Sequence, residues 1–191
     1  MPAISLLIPI YNVEKYLREC LDSVLAQSFT DFDAICMNDG STYSSRSTVH
    51  EYLDADSRFH VIDKANSGYG ASMNQGRDAA TGEYVAILVS GVAFTPDALE
   101  VLYNLAATHN AQAVKADFWF YWSQNEKLEA CHVISEGLCG KLVNPQEAFE
   151  PFYAKPSIWS GMYNRAFLQE NDIRFLETPG ASYQDADFAF K

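Results

Sequence analysis

The chain has 191 residues, enough for one domain with a sizeable core, and its 48% hydrophobic and 20% charged residues are an ordinary globular balance. A net charge of -12 repels polyanions and sets nucleic acid aside as a partner, while backbone N–H groups still leave room for a small phosphate ligand. No apolar run approaches the roughly 20 residues that cross a bilayer, and Met1-Pro2-Ala3-Ile4-Ser5 lacks the basic start of a secretory signal. We therefore expect no transmembrane segment and a cytoplasmic location.

In chain order, Ser5–Ile10 reads as a buried strand, and Asn12 is placed to cap the helix that follows. In that helix Leu17, Cys20, Leu21, Val24 and Leu25 repeat at helical spacing and make one apolar stripe. Phe32–Met37 is a second strand, Asn38-Asp39-Gly40-Ser41 a sharp turn, and a polar helix with Val49, Tyr52 and Leu53 comes next. His60–Asp63 is a short third strand. The glycine-rich Asn66-Ser67-Gly68-Tyr69-Gly70 then leads into a helix near Ala71–Ala80, with Gly82 expected as a left-handed residue after it. Tyr84–Val89 is the most apolar strand, and Thr95-Pro96-Asp97 is a strong helix start, with a cap, a proline in the first turn and an acid near the positive end of the helix dipole. Beyond it, Ala113–Trp122 and Glu129–Ile134 read as longer, antiparallel strands, with a helix near Pro145–Phe152.

Strands alternating with helices at this spacing predict an α/β fold, a mostly parallel sheet covered on both faces. An antiparallel portion follows in the second half. We expect a single domain over 1–191, with a nucleotide-binding half over 1–110 and an acceptor-side half over 111–191. Lys191 comes directly after Phe188-Ala189-Phe190, an abrupt stop that predicts a truncated chain.

In open α/β sheets ligands bind outside the carboxyl ends of the strands. Four segments fall there: Pro9-Ile10-Tyr11-Asn12, Asn38-Asp39-Gly40-Ser41, Asn66–Asn74 and Ser90-Gly91-Val92. A dinucleotide fold would place a glycine fingerprint soon after the first strand, and a P-loop would carry Gly-Lys-Ser/Thr; neither is present. Cys20, Cys36, Cys131 and Cys139 show no C-x-x-C spacing and the histidines are scattered, so no zinc site is expected.

The order of these segments resembles the nucleotide-binding half of family 2 glycosyltransferases, of the GT-A (Rossmann-like) fold. The matching text is Ser5–Asn12, Asn38–Thr42, Asn66-Ser67-Gly68, Asn74-Gln75-Gly76 and Thr81–Tyr84; later, Trp159–Tyr163 and Tyr183-Gln184-Asp185 also fit. The resemblance implies transfer of a sugar, with inversion, from a nucleotide-sugar donor of the UDP-sugar type to a sugar or other hydroxyl acceptor. Pro9 and Tyr11 would line the base pocket, the tyrosine offering its face to uracil. Asp39 would accept a hydrogen bond from the uracil ring N–H, its alternative being a local turn over Gly40. Asn66, Gly68 and Asn74 would shape the nucleotide side, or else simply form a capped loop–helix junction. Asp185 would be the base that takes the acceptor proton, its alternative being a helix-starting aspartate. Trp159 would lie against a sugar ring, or in the core.

One departure limits the chemistry. The family carries Asp-x-Asp or Asp-Asp after its fourth strand to hold Mn or Mg, and a hard divalent cation wants charged oxygens. Here Val89-Ser90-Gly91-Val92 stands there, and we expect no metal ligands from these residues. Tyr43 is a milder departure, where an aspartate often follows Gly-Ser-Thr. Lys64 and Arg77 are the cations closest in sequence to the glycine-rich loop that would partly replace a metal. A non-catalytic nucleotide-sugar-binding domain, derived from such an enzyme, is the alternative function.

Overall fold

The computed structural model describes residues 1–148, 155–178, 183–189 and 191. The order of elements is β1 (Ile4–Ile10), α1 (Glu14–Leu25), β2 (Phe32–Asp39), α2 (Tyr43–Ala55), β3 (Phe59–Lys64), α3 (Tyr69–Ala79), β4 (Tyr84–Ile87) and α4 (Ala98–His109). Then come β5 (Ala113–Lys115), β6 (Phe118–Trp122), β7 (Lys127–Cys131), β8 (Gly161–Asn164), α5 (Arg165–Glu170) and α6 (Gln184–Ala189). Six strands form one sheet in the order β3-β2-β1-β4-β8-β5, and β6 and β7 form a separate ribbon. The neighbours β3, β2, β1 and β4 run parallel, while β8 is antiparallel to both β4 and β5. This is the α/β architecture expected, a mostly parallel sheet with an antiparallel portion.

The alternation of side chains along β1 explains why the sheet is covered on both faces. Ile4, Leu6, Ile8 and Ile10 enter a cluster with Leu17, Leu21 and Val24 of α1 and Leu99 and Leu102 of α4. Leu7 points the other way, into a cluster with Ile35, Met37, Met73 of α3, Leu168 of α5 and Phe188 of α6. Both clusters draw residues from either side of position 110, since Val114 and Met162 join the first and Ile158 and Phe175 the second.

The sheet reverses its direction of winding between β1 and β4, because β2 lies on one side of β1 and β4 on the other. The β1–β4 register ends at Leu7↔Ile87, and the Leu7 carbonyl accepts from the Leu88 N–H at 2.9 Å. Two residues on, Pro9 turns its nitrogen to that same side, past the end of the ladder. The absent N–H therefore leaves no gap in the sheet, and the strands are free to part at their carboxyl ends.

Several local expectations need correction. Asn12 does not cap α1: Val13 is the N-cap, and Asn12 (φ 51°) instead accepts from the Thr42 N–H at 2.8 Å, tying the loop after β1 to the loop after β2. At α4 the N-cap is Asp97, without a side-chain cap bond of its own, and the Leu99 N–H donates at 3.0 Å to Gln27 Oε1 from the far end of α1. Gly82 is not left-handed. Its role is close approach, since a Cβ there would meet the Ser5 nitrogen at 2.5 Å and the Ile4 carbonyl carbon at 2.7 Å.

The stretch Ala113–Trp122 is two strands rather than one. It breaks where Ala116 donates to the Ser160 carbonyl and where Asp117 turns its carboxylate to the N–H groups of Val133 and Ile134. The expected helix near Pro145–Phe152 lies outside the described residues from 149 to 152, and 145–147 form a turn.

Candidate active site

Asp39 ends β2 at the carboxyl edge of the sheet, directly opposite Lys64 of β3. Its side chain is almost fully buried and accepts three hydrogen bonds. Oδ1 takes the Lys64 ammonium and the Ser67 N–H (2.9 Å), and Oδ2 takes the Gly68 N–H (3.0 Å). Asn66 Nδ2 donates to the Asp39 carbonyl at 3.1 Å. Burial pushes the Asp39 carboxyl up, but the Lys64 ammonium and the two backbone N–H groups outweigh it and hold the group below its ordinary range. Asp39, Asn66 and Gly68 thus form one knot rather than three separate positions. Asp39 makes no Asx-turn over Gly40; it fastens the glycine-rich loop. Gly68 (φ 92°) caps α3 in a backbone conformation that only glycine adopts readily.

Beside the knot, Pro9 is half-buried and Tyr11 stands 53% exposed at the end of β1. The loop carrying Tyr11 is pinned by the Asn12 N–H donating to Ser41 Oγ at 3.2 Å.

A cleft of about 310 Å³ opens past the end of β4, lined by Tyr69, Val89, Ile158, Trp159, Tyr183, Gln184 and Asp185. Four segments distant in sequence meet there: the start of α3, the end of β4, the turn before β8 and the start of α6. Asp185 is exposed on the cleft wall, and its Oδ1 accepts the Ala186 N–H at 2.9 Å. The residue before it is anchored, since Gln184 is buried and donates to Thr178 Oγ1 at 2.8 Å. Trp159 serves core and cleft together. It packs against the cluster beneath α3, α5 and α6, and meets Phe118 edge-on with ring centroids 4.6 Å apart. Tyr69, not singled out from the sequence, also faces the cleft; burial raises its hydroxyl pKa and the Asp185 charge raises it further. Its place between Gly68 and Gly70 was the available clue.

Other expected residues lie elsewhere. Asn74 is only 3% exposed and works as a tether: its Oδ1 accepts the Phe175 N–H (2.9 Å), and its Nδ2 donates to the Phe175 carbonyl (3.0 Å) and to Glu177 (2.8 Å). Asn74→Ala would strand two buried backbone groups, so a loss of about 2–4 kcal/mol of stability is expected in urea unfolding. A loss under about 0.5 kcal/mol would rule out the tether.

Arg77 is likewise buried, donating to the Leu168 carbonyl at 2.9 Å and pairing with Asp78, and does not line the cleft. Lys64 is engaged by Asp39, Ser67 and Ser72. Lys115, which nothing in its strand pattern marks, donates to the Ser157 carbonyl (2.7 Å) and to Ser160 Oγ (3.3 Å), propping the turn that presents Trp159. Burial pushes its ammonium down to about 8.

At the end of β4 the donor set is poor for a hard cation. Val89 faces the cleft, Ser90 is buried with a neutral hydroxyl, and Gly91 and Val92 bring no side-chain oxygen. These residues do not fit a divalent ion held by protein carboxylates.

The sequence profile described as "Glycosyl transferase family 2" matches residues 5–153. The chain belongs to glycosyl transferase family 2. Among curated members it is similar to glycosyltransferase GlyA of Streptococcus pneumoniae, 28% identical over 90% of this chain and 25% of that protein. It is also similar to two proteins of Bacillus subtilis, EpsH and the uncharacterized glycosyltransferase EpsJ. EpsH is 41% identical over 55% of the chain and 30% of that protein, and EpsJ is 30% identical over 93% and 54%. The chain thus spans about a quarter to a half of the length of these relatives.

Among solved structures, this family 2 chain superposes on S. aureus TarS 1–349 in complex with UDP-GlcNAc, with a TM-score of 0.80. The identity there is 22%, over 97% of this chain and 52% of that one. The mannosyltransferase PcManGT of Pyrobaculum calidifontis, solved with GDP-Man and Mn2+, gives 0.66 at 16% identity, over 92% and 48%. Both likenesses are of fold. Among the described residues no helix is long and apolar enough to cross a membrane.

Proposed function

We propose that this chain transfers a sugar from a UDP-sugar to a hydroxyl acceptor with inversion, and that Asp185 is the base. The observation that carries the reading is the cleft past β4, where Asp185 and Trp159 face the strand end next to the β1–β4 parting. In the step proposed, the Asp185 carboxylate takes the acceptor hydroxyl proton as the oxygen bonds to the anomeric carbon, and the bond to the diphosphate breaks with UDP leaving. Tyr11 offers an exposed ring for the base. Asp39 fastens the loop from Asn66 to Gly68 at the same carboxyl edge of the sheet, keeping lone-pair capacity for one more donor such as a uracil N–H. TarS, solved with UDP-GlcNAc, supports the choice of nucleotide.

In this family a divalent ion supplies Lewis-acid help to the departing diphosphate. The residues at Val89–Val92 lack the carboxylates for it, and we propose that nucleotide binding here is independent of such an ion. The same residues favour the second reading, a domain that binds nucleotide-sugars without turning them over.

Calorimetry with UDP, with and without manganese, is the direct test. Binding of equal strength in both is expected. Tightening by more than about tenfold with manganese would refute the claim about the strand end, and no binding in either would refute the nucleotide reading. Binding without donor turnover would favour the second reading.

A further inference from the structure

The β6–β7 ribbon stands apart from the main sheet and carries the chain's densest run of aromatics, Phe118-Trp119-Phe120-Tyr121-Trp122. Its pairing sorts these rings onto two faces. Phe120 lies opposite Glu129 and Trp122 opposite Lys127, so these four share one face with Phe118. Trp119 and Tyr121 share the other with Ala130 and Leu128, a face with no charged residue.

The first face is continuous with the cleft. Trp159 meets Phe118 at 4.6 Å between ring centroids, and Phe118 meets Phe120 at 5.3 Å. Phe120 is 42% exposed and Trp122 53%, and Lys155 holds its ammonium 5.4 Å from the Phe120 ring. Lys127 and Glu129 pair at 3.4 Å beside the same rings. The rings therefore run outward from the wall that bears Asp185, over roughly 13 Å of strand at about 3.3 Å per residue, with charges along their margin.

We propose that this face is an extended subsite for a carbohydrate acceptor, guiding a saccharide chain into the cleft; the assignment rests on the transferase reading above. A pyranose ring is apolar on its C–H face and ringed by hydroxyls. It suits an aromatic surface bordered by ammonium and carboxylate groups that hydrogen-bond at the rim. An apolar protein partner would match the Trp119 face better. The ribbon also supplies its own control, since the two faces differ by one residue in register.

The test follows tryptophan indole signals by nitrogen-15 NMR while chitopentaose, maltopentaose and a galactose pentasaccharide are titrated separately into the full chain. At least one is expected to shift both the Trp122 and Trp159 indoles. Phe120→Ala and Trp122→Ala should weaken that binding roughly tenfold, as expected for loss of a stacked ring, while Trp119→Ala leaves it unchanged. Shifts from none of the three, or equal weakening by Trp119→Ala, would overturn the subsite. So would concentration-dependent dimerisation that Trp122→Ala abolishes with no saccharide response, which would make the face a contact between copies. UDP calorimetry on the same variants separates the two claims. Failure of UDP to bind the unaltered chain would sink the transferase reading, whereas unchanged UDP binding with no saccharide shift would sink only the ribbon subsite.

Discussion

Asp185→Asn is expected to lower sugar transfer roughly a thousandfold while leaving UDP affinity within about twofold. The substitution keeps the shape of the side chain and its acceptor oxygen, so the bond from the Ala186 N–H survives. What it removes is the ability to take a proton. Asp185 sits on the cleft wall opposite the end of β4 and makes none of the hydrogen bonds of the Asp39 knot, so base and nucleotide recognition should separate. Stopped assays of transfer beside calorimetry with UDP give the two readouts. Equal loss in both would remove Asp185 from the role of base and make it part of the binding wall.

The second large effect is a gain. Val89→Asp combined with Gly91→Asp is expected to raise donor turnover by roughly 10²–10³-fold in manganese, because Lewis-acid help to a leaving diphosphate is worth several kcal/mol. The geometry has room for both changes. Val89 already faces the cleft, and a Cβ on Gly91 would have no atom within 4 Å. The turn itself is held by the Val92 N–H donating to the Val89 carbonyl at 2.9 Å, which neither change touches. Donor hydrolysis with and without manganese measures the outcome. No gain would place the limitation beyond the strand end, in residues the two substitutions do not reach.

Much of the parallel half was legible because its signals are local. Short apolar runs ending in turns mark β1, β2 and β4, and the stripe from Leu17 to Val24 marks the helix that covers them. β8, in the antiparallel portion, was not legible in this way. Its text, Gly161-Met162-Tyr163, looks like a recognition motif, and only pairing with Tyr84–Ala86 and Ala113–Lys115 makes it a strand. The caps failed for a related reason, since Gln27 reaches Leu99 across 72 positions and Asn12 reaches Thr42 across 30.

In the site, Asp39 was assigned to the base apart from Asn66, Gly68 and Asn74, and the joining of Asp39, Asn66 and Gly68 into one knot was not anticipated. Three donors converge on one carboxylate only when β2 and β3 lie side by side. Asn74 shows the converse. Polar residues beside a glycine-rich loop read as ligand contacts, yet this one spends every hydrogen bond inside the protein.

The Asn74 tether also bears on the order in which the molecule assembles. It joins residues 101 positions apart, and the same distant segment leads on to Asp185. Closing so long a loop is entropically costly and comes after the local pairing of β1, β2 and β3. During synthesis the carboxyl end of β1, β2 and β3 is therefore expected to form while the wall bearing Asp185 is still unmade. Destabilised variants should lose the cleft first, opening by release of residues 173–178 and Gln184–Ala189 before the parallel strands exchange their amide protons.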